Sequence, residues 1–318
     1  MRATSNQPPI SAVVPSWNGA ELLQRHLPAL MEELNQFHPS SECIVVDDGS
    51  SDHSRDLLRQ NFPAVRLIER GCNQGFSSAA NAGIRAARHE RLLLLNNDVE
   101  VLPGFLEHLH LVFEERPNTF AVASLQKQTL TDGTVALDGF NAVRWRAGLL
   151  DLNNRTADVM AGQDLSLGYC TAGCSLFSRE KLLAVGGFCE LFDPFYYEDV
   201  ELSLQAARRG WRLAFAPKSV VEHRHGSTTR KKPWKMKIVP SRNYFFLHWL
   251  VLAGRSAWGP HLLALVLHIL KWLLQGRLVL LFGLLQALAR IPELAKERRR
   301  RGCGAVLAVT DVLLAQES

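Results

Sequence analysis

The chain has 318 residues, 47% of them apolar, and a formal net charge of +5. This length and composition can bury a substantial core, so they exclude a disordered chain and favour one large domain with an appendage. The charge is uneven: residues 1–222 carry 20 Lys or Arg against 27 Asp or Glu, whereas residues 223–292 carry 11 Lys or Arg and no acidic residue. Such a basic segment favours a polyanionic partner, either nucleic acid or an anionic membrane surface.

The opening stretch, MRATSNQPPISAVVPSW, lacks the charged start and apolar run of a secretory signal. The six cysteines contain no CxxC pair, which favours a reduced, cytoplasmic protein. Cys170 and Cys174 have the spacing of half a metal site, but no further ligands stand nearby in zinc-like spacing. We therefore interpret them as small buried residues.

The first 125 residues alternate apolar β-type runs with helical patterns. ISAVVPSW, ECIVVDD, VRLIER and RLLLLNND each precede an amphipathic segment such as ELLQRHLPALMEEL. Near-continuous Val, Ile and Leu runs separated by helices predict an α/β fold with a mostly parallel sheet covered by helices on both faces.

Several of these runs end in polar residues, at positions 16–18, 47–50 and 96–98. Because ligands gather at the carboxyl ends of parallel strands, these side chains are expected to converge on one crevice. Oxygen ligands there suit Mg²⁺ or Mn²⁺, which complete their shell with substrate phosphates, and Asp98 is the natural ligand. A turn that begins the next helix is the alternative for this stretch taken alone.

The turn at residues 47–52 and the segment NQGFSSAANAG have the composition of a nucleotide site. Asp48 can accept hydrogen bonds from a base or a ribose, although DDGS is also a common turn. The small residues from Asn73 to Gly83 allow close backbone approach, with Asn73 and Asn81 as side-chain partners. Neither GxGxxG nor a GK[ST] phosphate loop occurs, which disfavours dehydrogenases and P-loop enzymes.

The second half is less regular at first. Residues 126–167 are interpreted as irregular or hairpin structure over the sheet. From Gly168 the pattern predicts a strand, a short helix, an aromatic loop, a helix starting near Glu198 and a strand ending at His223. Asp199 can be a first-turn carboxylate favoured by the helix dipole, and His223 can be structural or a ligand.

Beyond Arg242 the chain is strongly apolar, but Lys271, Gln275 and Arg277 interrupt the run before it reaches the ~18–20 residues of a membrane span. Gly276, Gly283 and Pro292 are expected to break it into pieces. A helical projection gathers the polar residues on one narrow stripe: His261, His268, Lys271, Gln275, Gln286, Arg290, Glu293 and Glu297.

This stripe on a wide apolar body predicts helices that lie on an anionic membrane surface. The basic clusters at residues 230–237 and 298–301 would then contact lipid headgroups. A core helix or a homodimer interface is the alternative. Nucleic acid is disfavoured as the partner, since strongly apolar helices do not track phosphates.

Eight motifs occur together in one order. They are VVPSWNG, VVDDGSSD, NQGFSSAANAGI, LLLLNNDVE, TAGCSLFSRE, FYYEDVELSLQAARRGW, VVEHRHGST and SRNYFFL, spread over residues 10–247. In this combination the chain resembles the family 2 inverting glycosyltransferases with the GT-A fold, in particular the rhamnosyltransferase-like branch of bacterial cell-surface polysaccharide enzymes.

The resemblance implies a GT-A domain at residues 1–243, with a nucleotide-binding half (1–125) and an acceptor and catalytic half (126–243). Residues 244–318 would form the amphipathic, basic, membrane-associating region. Asp199 matches the catalytic base, with Glu198 beside it, and Asp98 and His223, with His225 as a further candidate, match a metal or diphosphate site. Asn96 stands where many relatives have Asp. The nucleotide-binding positions it implies are Pro15, Ser16, Asn18, Asp48, Asn73, Gly75, Asn81, Asn97 and Arg242.

The activity implied is transfer of a sugar from a nucleoside diphosphate, with Mg²⁺ or Mn²⁺, to a lipid-linked or polysaccharide acceptor at the inner face of the cell membrane. The NND ending favours a deoxythymidine-linked 6-deoxysugar such as rhamnose, followed by UDP-linked hexoses. Two alternatives have the same fold: a nucleotidyltransferase, which would need a basic phosphate loop after the first strand, and a silent membrane adaptor.

Overall fold

The computed structural model describes residues 7–130, 132–161, 168–223, 234–252 and 255–302. Two sheets and the helices around them account for most of these residues. The strands are β1 Ile10–Ser16, β2 Glu42–Asp47, β3 Arg66–Glu69, β4 Arg91–Leu95, β5 Val99–Val101, β6 Thr119–Thr129, β7 Val135–Asp138, β8 Phe140–Arg146, β9 Leu149–Asn154, β10 Gly168–Cys170, β11 Cys174–Ser178 and β12 Arg212–His223. The helices are α1 Ala20–Phe37, α2 Ser54–Asn61, α3 Phe76–Ala86, α4 Phe105–Glu114, α5 Thr156–Met160, α6 Arg179–Ala184, a 3₁₀ turn Glu190–Phe192, α7 Glu198–Ala207, α8 Trp234–Val251, α9 Arg255–Leu274, α10 Leu278–Ala289 and α11 Ile291–Gly302.

The central sheet has nine strands in the order β3-β2-β1-β4-β11-β6-β12-β5, with β7 paired to β6. Strands β1 to β4, β6 and β12 run in one direction, whereas β5, β7 and β11 run antiparallel to their neighbours. The predicted α/β fold with a mostly parallel sheet is confirmed. The carboxyl ends of β1, β2, β4 and β12 therefore lie along the same edge.

Helices cover both faces of this sheet, as the apolar runs predict. Helices α1, α2 and α4 bury one core against the sheet, and α3, α6 and α7 bury a second core on the opposite face. In α1, Leu23, Leu27, Leu30 and Leu34 recur at helical spacing and are all buried. Burial of each such side chain stabilises the fold by about 1.5–3 kcal/mol.

The described part of the segment at residues 126–167, namely residues 126–130 and 132–161, is more regular than the sequence indicated. Strand β6 continues to Thr129 and pairs with β7, and β8 and β9 form the expected hairpin, which β10 joins to make a three-stranded antiparallel sheet. Ala147 and Gly148, with φ of 47° and 82°, form the two-residue turn between β8 and β9. Positive φ at both positions matches the twist of the flanking strands.

A third core joins the three-stranded sheet to α7, α8, α10 and α11. The proposed domain boundary after residue 243 falls inside the continuous helix α8. A buried imidazole fixes this helix to the hairpin: Nε2 of His248 accepts a hydrogen bond from the Leu150 N–H at 2.8 Å. The C-terminal helices are therefore packed on the second half of the chain.

The predicted polar stripe does not face solvent along its whole length. His261 is buried, with Nδ1 3.0 Å from the Gly148 carbonyl oxygen, whereas the leucines on the opposite side of α9 are exposed. The expected break at Gly276 is confirmed, since α9 ends before it and α10 begins after it. The expected break at Gly283 is wrong: this glycine lies within α10, where a Cβ would come within 2.5 Å of Ser241 Cβ.

Two further expectations about the C-terminal region are corrected. One described helical segment, Ala257–Leu274, is long and apolar enough to cross a membrane, because its 18 residues include only a single lysine. Only 17% of this segment is buried. Only Arg299 and Arg300 of the four arginines at 298–301 are exposed to solvent. Arg298 donates to the carbonyl oxygens of Trp249 and Leu252, and Arg301 is buried, since helical spacing turns these two toward α7 and α8. Residues 230–233 of the other basic cluster lie outside the described residues.

Candidate active site

The turn that follows β4 brings Asp98 against His223. Strand β5 begins at Val99 and pairs antiparallel with the end of β12, so that His223 lies opposite Val99. As a result Asp98 Oδ2 lies 3.1 Å from His223 Nε2, with both side chains partly accessible. Strand pairing, rather than sequence proximity, assembles this carboxylate and imidazole at the sheet edge.

The pair fits a divalent cation. Two neighbouring ligands of an octahedral ion at about 2.1 Å lie about 3.0 Å apart, close to the observed separation. Among the described residues no three His, Cys, Asp or Glu side chains gather into a complete metal site. A cation here would depend on substrate phosphates for its other ligands, as Mg²⁺ commonly does. His225, the other candidate, lies outside the part of the chain that the structure describes.

Glu198 and Asp199 form the first turn of α7, as predicted. Tyr197 precedes them in a left-handed conformation with φ of 76°. Glu198 is buried, whereas Asp199 retains partial exposure and accepts a hydrogen bond from the Val200 N–H. Burial raises the pKa of Asp199 to about 6, and burial together with the Asp199 charge raises the pKa of Glu198 further above its usual value. The more accessible Asp199 is therefore the one that can exchange a proton with a ligand.

The turn at residues 171–174 connects the two carboxylates. Ala172 donates its backbone N–H to Asp199, and the neighbouring Gly173 carbonyl oxygen accepts a hydrogen bond from Asn96 N at 2.8 Å. Asn96 begins the turn that carries Asp98. Asp199 and Asp98 thus lie on either side of this turn of small residues.

Asp48 lies at the same edge but is directed into the protein. Its Oδ2 accepts hydrogen bonds from the N–H groups of Gln74 and Gly75 at 3.0 and 2.8 Å, and its Oδ1 lies 3.0 Å from Arg70 Nη1. Gly75 adopts φ of 112°, and a Cβ there would lie 2.6 Å from Asp193 Oδ1. Asp48 therefore holds the segment before α3 tightly against the strand end.

The ends of β1 and β4 are linked through side chains. Asn97 Nδ2 donates to Ser16 Oγ at 2.9 Å, and Asn18 Oδ1 accepts from the Ser51 N–H at 2.8 Å. Pro15 lies beyond the β1–β4 ladder, which stops at Val13, so its missing N–H removes no bond to β4. Asn73 is exposed beside this edge. The five predicted residues at this edge are thus near one another, as the strand ends required.

Two further predicted nucleotide contacts, Asn81 and Arg242, hydrogen-bond to other parts of the protein. Asn81 is buried: its Oδ1 accepts from Phe188 N at 2.8 Å, and its Nδ2 donates to the Phe188 oxygen and to Glu190. Arg242 donates to the Asp193 carbonyl oxygen at 2.6 Å and to Asn243 Oδ1 at 2.9 Å. Burial, reinforced by the Arg290 charge, lowers the pKa of Arg242 to about 10. Both side chains brace the loop before α7, because their polar atoms point into it.

The sequence did not indicate Asp193 or Asp138 as site residues, whereas the family resemblance grouped Asn243 with Arg242 near the leaving group. Asp193 caps α3, accepting from the N–H groups of Ser77 and Ser78 at 2.8 and 3.2 Å. Asn243 donates to the carbonyl oxygens of Phe192, Phe195 and Tyr196.

The charge of Asp138 contributes to the raised pKa of Asp199, so Asp138 lies near Asp199. A carboxylate just before the aromatic loop was the available signal for Asp193.

Comparison with known proteins agrees with this geometry. The sequence profile described as Glycosyl transferase family 2 matches residues 11–186, a little over half of the chain. The N-acetylglucosaminyl-diphospho-decaprenol L-rhamnosyltransferase of Mycobacterium tuberculosis is 25% identical over 285 residues, 81% of this chain and 86% of that protein. The O-antigen biosynthesis protein RfbC of Myxococcus xanthus is 26% identical over 272 residues, which cover 80% of this chain and 20% of that protein.

Solved structures show the same fold. GalNAc-T7, determined with UDP, GalNAc and Mn²⁺, superposes with a TM-score of 0.60 at 16% identity, covering 77% of this chain and 48% of that one. The mannosyltransferase PcManGT of Pyrobaculum calidifontis, determined with GDP-Man and Mn²⁺, gives a TM-score of 0.55 at 18% identity over 100% of this chain and 81% of that one. The chain is therefore a glycosyltransferase of glycosyl transferase family 2, built on the GT-A fold.

Proposed function

We propose that the protein is an inverting glycosyltransferase that moves a sugar from a nucleoside-diphosphate donor to a lipid-linked or polysaccharide acceptor. Asp199 is the base, and Asp98 with His223 holds Mg²⁺ or Mn²⁺. The observation that carries this proposal is the turn at residues 171–174, which has a partly exposed carboxylate of raised pKa on one side and the Asp98–His223 pair on the other.

The relatives support the finer assignments. The mycobacterial protein is named for a rhamnosyl donor group and a decaprenol-linked acceptor, which favours rhamnose or another hexose and a lipid-linked acceptor here. The two solved structures were determined with Mn²⁺ and a nucleotide or nucleotide sugar, which favours the same donor class. Family membership also favours a glycosyltransferase over a nucleotidyltransferase.

The chemistry follows from the residues present. Asp199 takes the proton of an acceptor hydroxyl as that oxygen forms its bond to the anomeric carbon. The bond from this carbon to the diphosphate oxygen breaks on the opposite face, and its electron pair leaves with the diphosphate. Asp98 and His223 would hold the divalent cation, which would supply charge neutralisation for the departing diphosphate. Base catalysis of this kind contributes about 10²–10⁴-fold in rate.

The exposed apolar side of α9 and α10 supports attachment to the inner face of the cell membrane. Leu263, Leu267, Leu270 and Leu274 on α9 are all more than half exposed, and Phe282 and Leu285 continue the apolar side on α10. Contiguous exposed apolar surface of this kind marks a membrane or protein contact. With no acidic residue between positions 223 and 292, an anionic lipid surface is the partner of matching charge.

The proposal is tested by the stereochemistry of the product. The protein is incubated with Mn²⁺, dTDP-rhamnose or a UDP-hexose, and a polyprenyl-diphosphate sugar acceptor, and the anomeric configuration of the new linkage is determined by NMR. A configuration opposite to that of the donor is expected. A product that retains the donor configuration would exclude single displacement with Asp199 as base.

A further inference from the structure

A buried ion pair joins the last described helix to the helix that carries the proposed base. Arg301 of α11 is 2% exposed and Glu201 of α7 is fully buried, and Arg301 Nη1 lies 3.0 Å from Glu201 Oε2. Glu201 follows Asp199 by two residues on the same first turns of α7. The other oxygen of Glu201 accepts a hydrogen bond from Gln205 at 2.8 Å, so the carboxylate is held from two sides.

Arg301 binds three segments at once. Its Nε lies 2.7 Å from Glu297 Oε1 on its own helix, and its Nη2 donates to the Gly187 carbonyl oxygen at 3.1 Å. The residue after Gly187 is Phe188, whose backbone pairs with Asn81 of α3. The guanidinium therefore fixes α7 relative to α11 and to the loop that rests on α3.

This arrangement is poorly explained by stability alone. Removing two charges from water is costly, and well-packed apolar residues in place of a buried ion pair are often as stabilising or more so. What a guanidinium adds is orientation, because its planar fork of donors fixes several partners at defined angles. The partner that Arg301 fixes on α7 is Glu201, which lies less than one helical turn from the proposed base, Asp199.

We infer that Arg301 is a positioning residue for sugar transfer: by holding Glu201 it sets the placement of α7 and hence of Asp199. The inference rests on the proposed function of Asp199. It gives the C-terminal helices a role in turnover beyond surface attachment. Helices α9 and α10, with their exposed apolar side, lead directly into α11, so seating these helices on a membrane and aligning Asp199 share one structural link.

The test compares full-length Arg301→Met with the double variant Arg301→Met/Glu201→Met, which removes both charges, and with Arg301→Lys. Arg299→Met is the matched control, because Arg299 is the exposed neighbour on the same helix. For each protein the melting temperature, the affinity for donor nucleotide with Mn²⁺ and kcat for transfer are measured, at a temperature where all the proteins are folded.

Arg301→Met and the double variant are expected to bind donor nucleotide within about twofold of wild type while kcat falls about 10- to 100-fold. The double variant is expected to regain melting temperature without regaining kcat, and Arg301→Lys to recover part of kcat. Wild-type kcat in Arg301→Met, or kcat that returns with the melting temperature in the double variant, would overturn the inference. Failure of the wild-type protein itself to bind donor or transfer sugar would instead overturn the proposed function, and the inference with it.

Discussion

Asp98 Oδ2 and His223 Nε2 lie 3.1 Å apart because the short strand β5, which starts one residue after Asp98, pairs with the end of β12. The structure thus joins two residues that the sequence linked only through resemblance to a family. A pair at this separation has the spacing of neighbouring ligands on a small divalent cation.

The first prediction concerns Asp98. Asp98→Asn removes the carboxylate charge while keeping the side-chain shape, so the Mn²⁺-dependent part of nucleotide binding should weaken by at least about tenfold. Calorimetric titration with and without Mn²⁺ measures this, and Asp56→Asn, at an exposed carboxylate on α2, is the control. If Mn²⁺ enhances nucleotide binding equally in wild type and in Asp98→Asn, Asp98 is not a ligand of the cation.

The second prediction concerns Asp199. Asp199→Asn should bind donor nucleotide normally while kcat falls about 10²–10⁴-fold, because the amide cannot take the acceptor proton. Steady-state kinetics and nucleotide titration measure the two effects separately. Asp158→Asn, on the short helix α5, is the control. A variant that transfers sugar at near wild-type rate would rule out Asp199 as the base.

The third prediction is the pH dependence of wild-type kcat. Burial raises the pKa of Asp199 to about 6, and a base acts only when unprotonated. The rate should therefore be low at acidic pH, rise through a midpoint near that value and level off above it. A pH–rate profile under saturating substrates checks this. A rate that stays constant between pH 5 and pH 8 would contradict the assignment. This range extends at least about one pH unit below and above the expected midpoint.

The fourth prediction concerns the loop before α7. Asn243 is fully buried, and Asn243→Ala leaves the carbonyl oxygens of Phe192, Phe195 and Tyr196 without their shared donor. The free energy of unfolding should fall by about 1–3 kcal/mol. Urea unfolding measures it, with Asn153→Ala at an exposed site as control. A loss no larger than about 0.5 kcal/mol, typical of surface substitutions, would show that Asn243 does not anchor the loop.

The fifth prediction concerns the apolar side of α9. Replacing the exposed Leu263, Leu267 and Leu270 by Glu should reduce partition into anionic phosphatidylglycerol vesicles by at least about 100-fold, since each buried leucine contributes about 1.5–3 kcal/mol. Vesicle flotation measures this, with Leu111→Glu on α4 as control. Undiminished flotation would contradict membrane attachment. A wild-type dimer that the triple variant converts to monomer would identify the face as a homodimer interface.

The elements that local pattern determines were predictable. The Val, Ile and Leu runs became β1, β2 and β4, and the polar residues after them do meet at one edge, because parallel strands end on the same side of the sheet. The start of α7 at Glu198 and the end of β12 at His223 also followed from pattern.

What the sequence left open is non-local. A helical projection relates His261 to Leu263 by angle, but it does not reveal which of them faces the protein, and the polar residue proved to be inside because Gly148 and Trp249 provide its partners. Likewise Asn81 lies in a segment with the composition of a nucleotide site, yet its side chain hydrogen-bonds to the backbone of Phe188, far along the chain. The partner of Glu201, Arg301, lies a hundred residues away.

The most direct test of the central claim is calorimetric titration of the wild-type protein with dTDP, UDP and GDP, each with and without Mn²⁺. We predict that one nucleotide binds and that Mn²⁺ strengthens this binding, which would identify the donor class and support a cation and diphosphate site at Asp98 and His223. Absence of binding for all three nucleotides, with Mn²⁺ present, would contradict the account and favour a protein that keeps the fold without the activity.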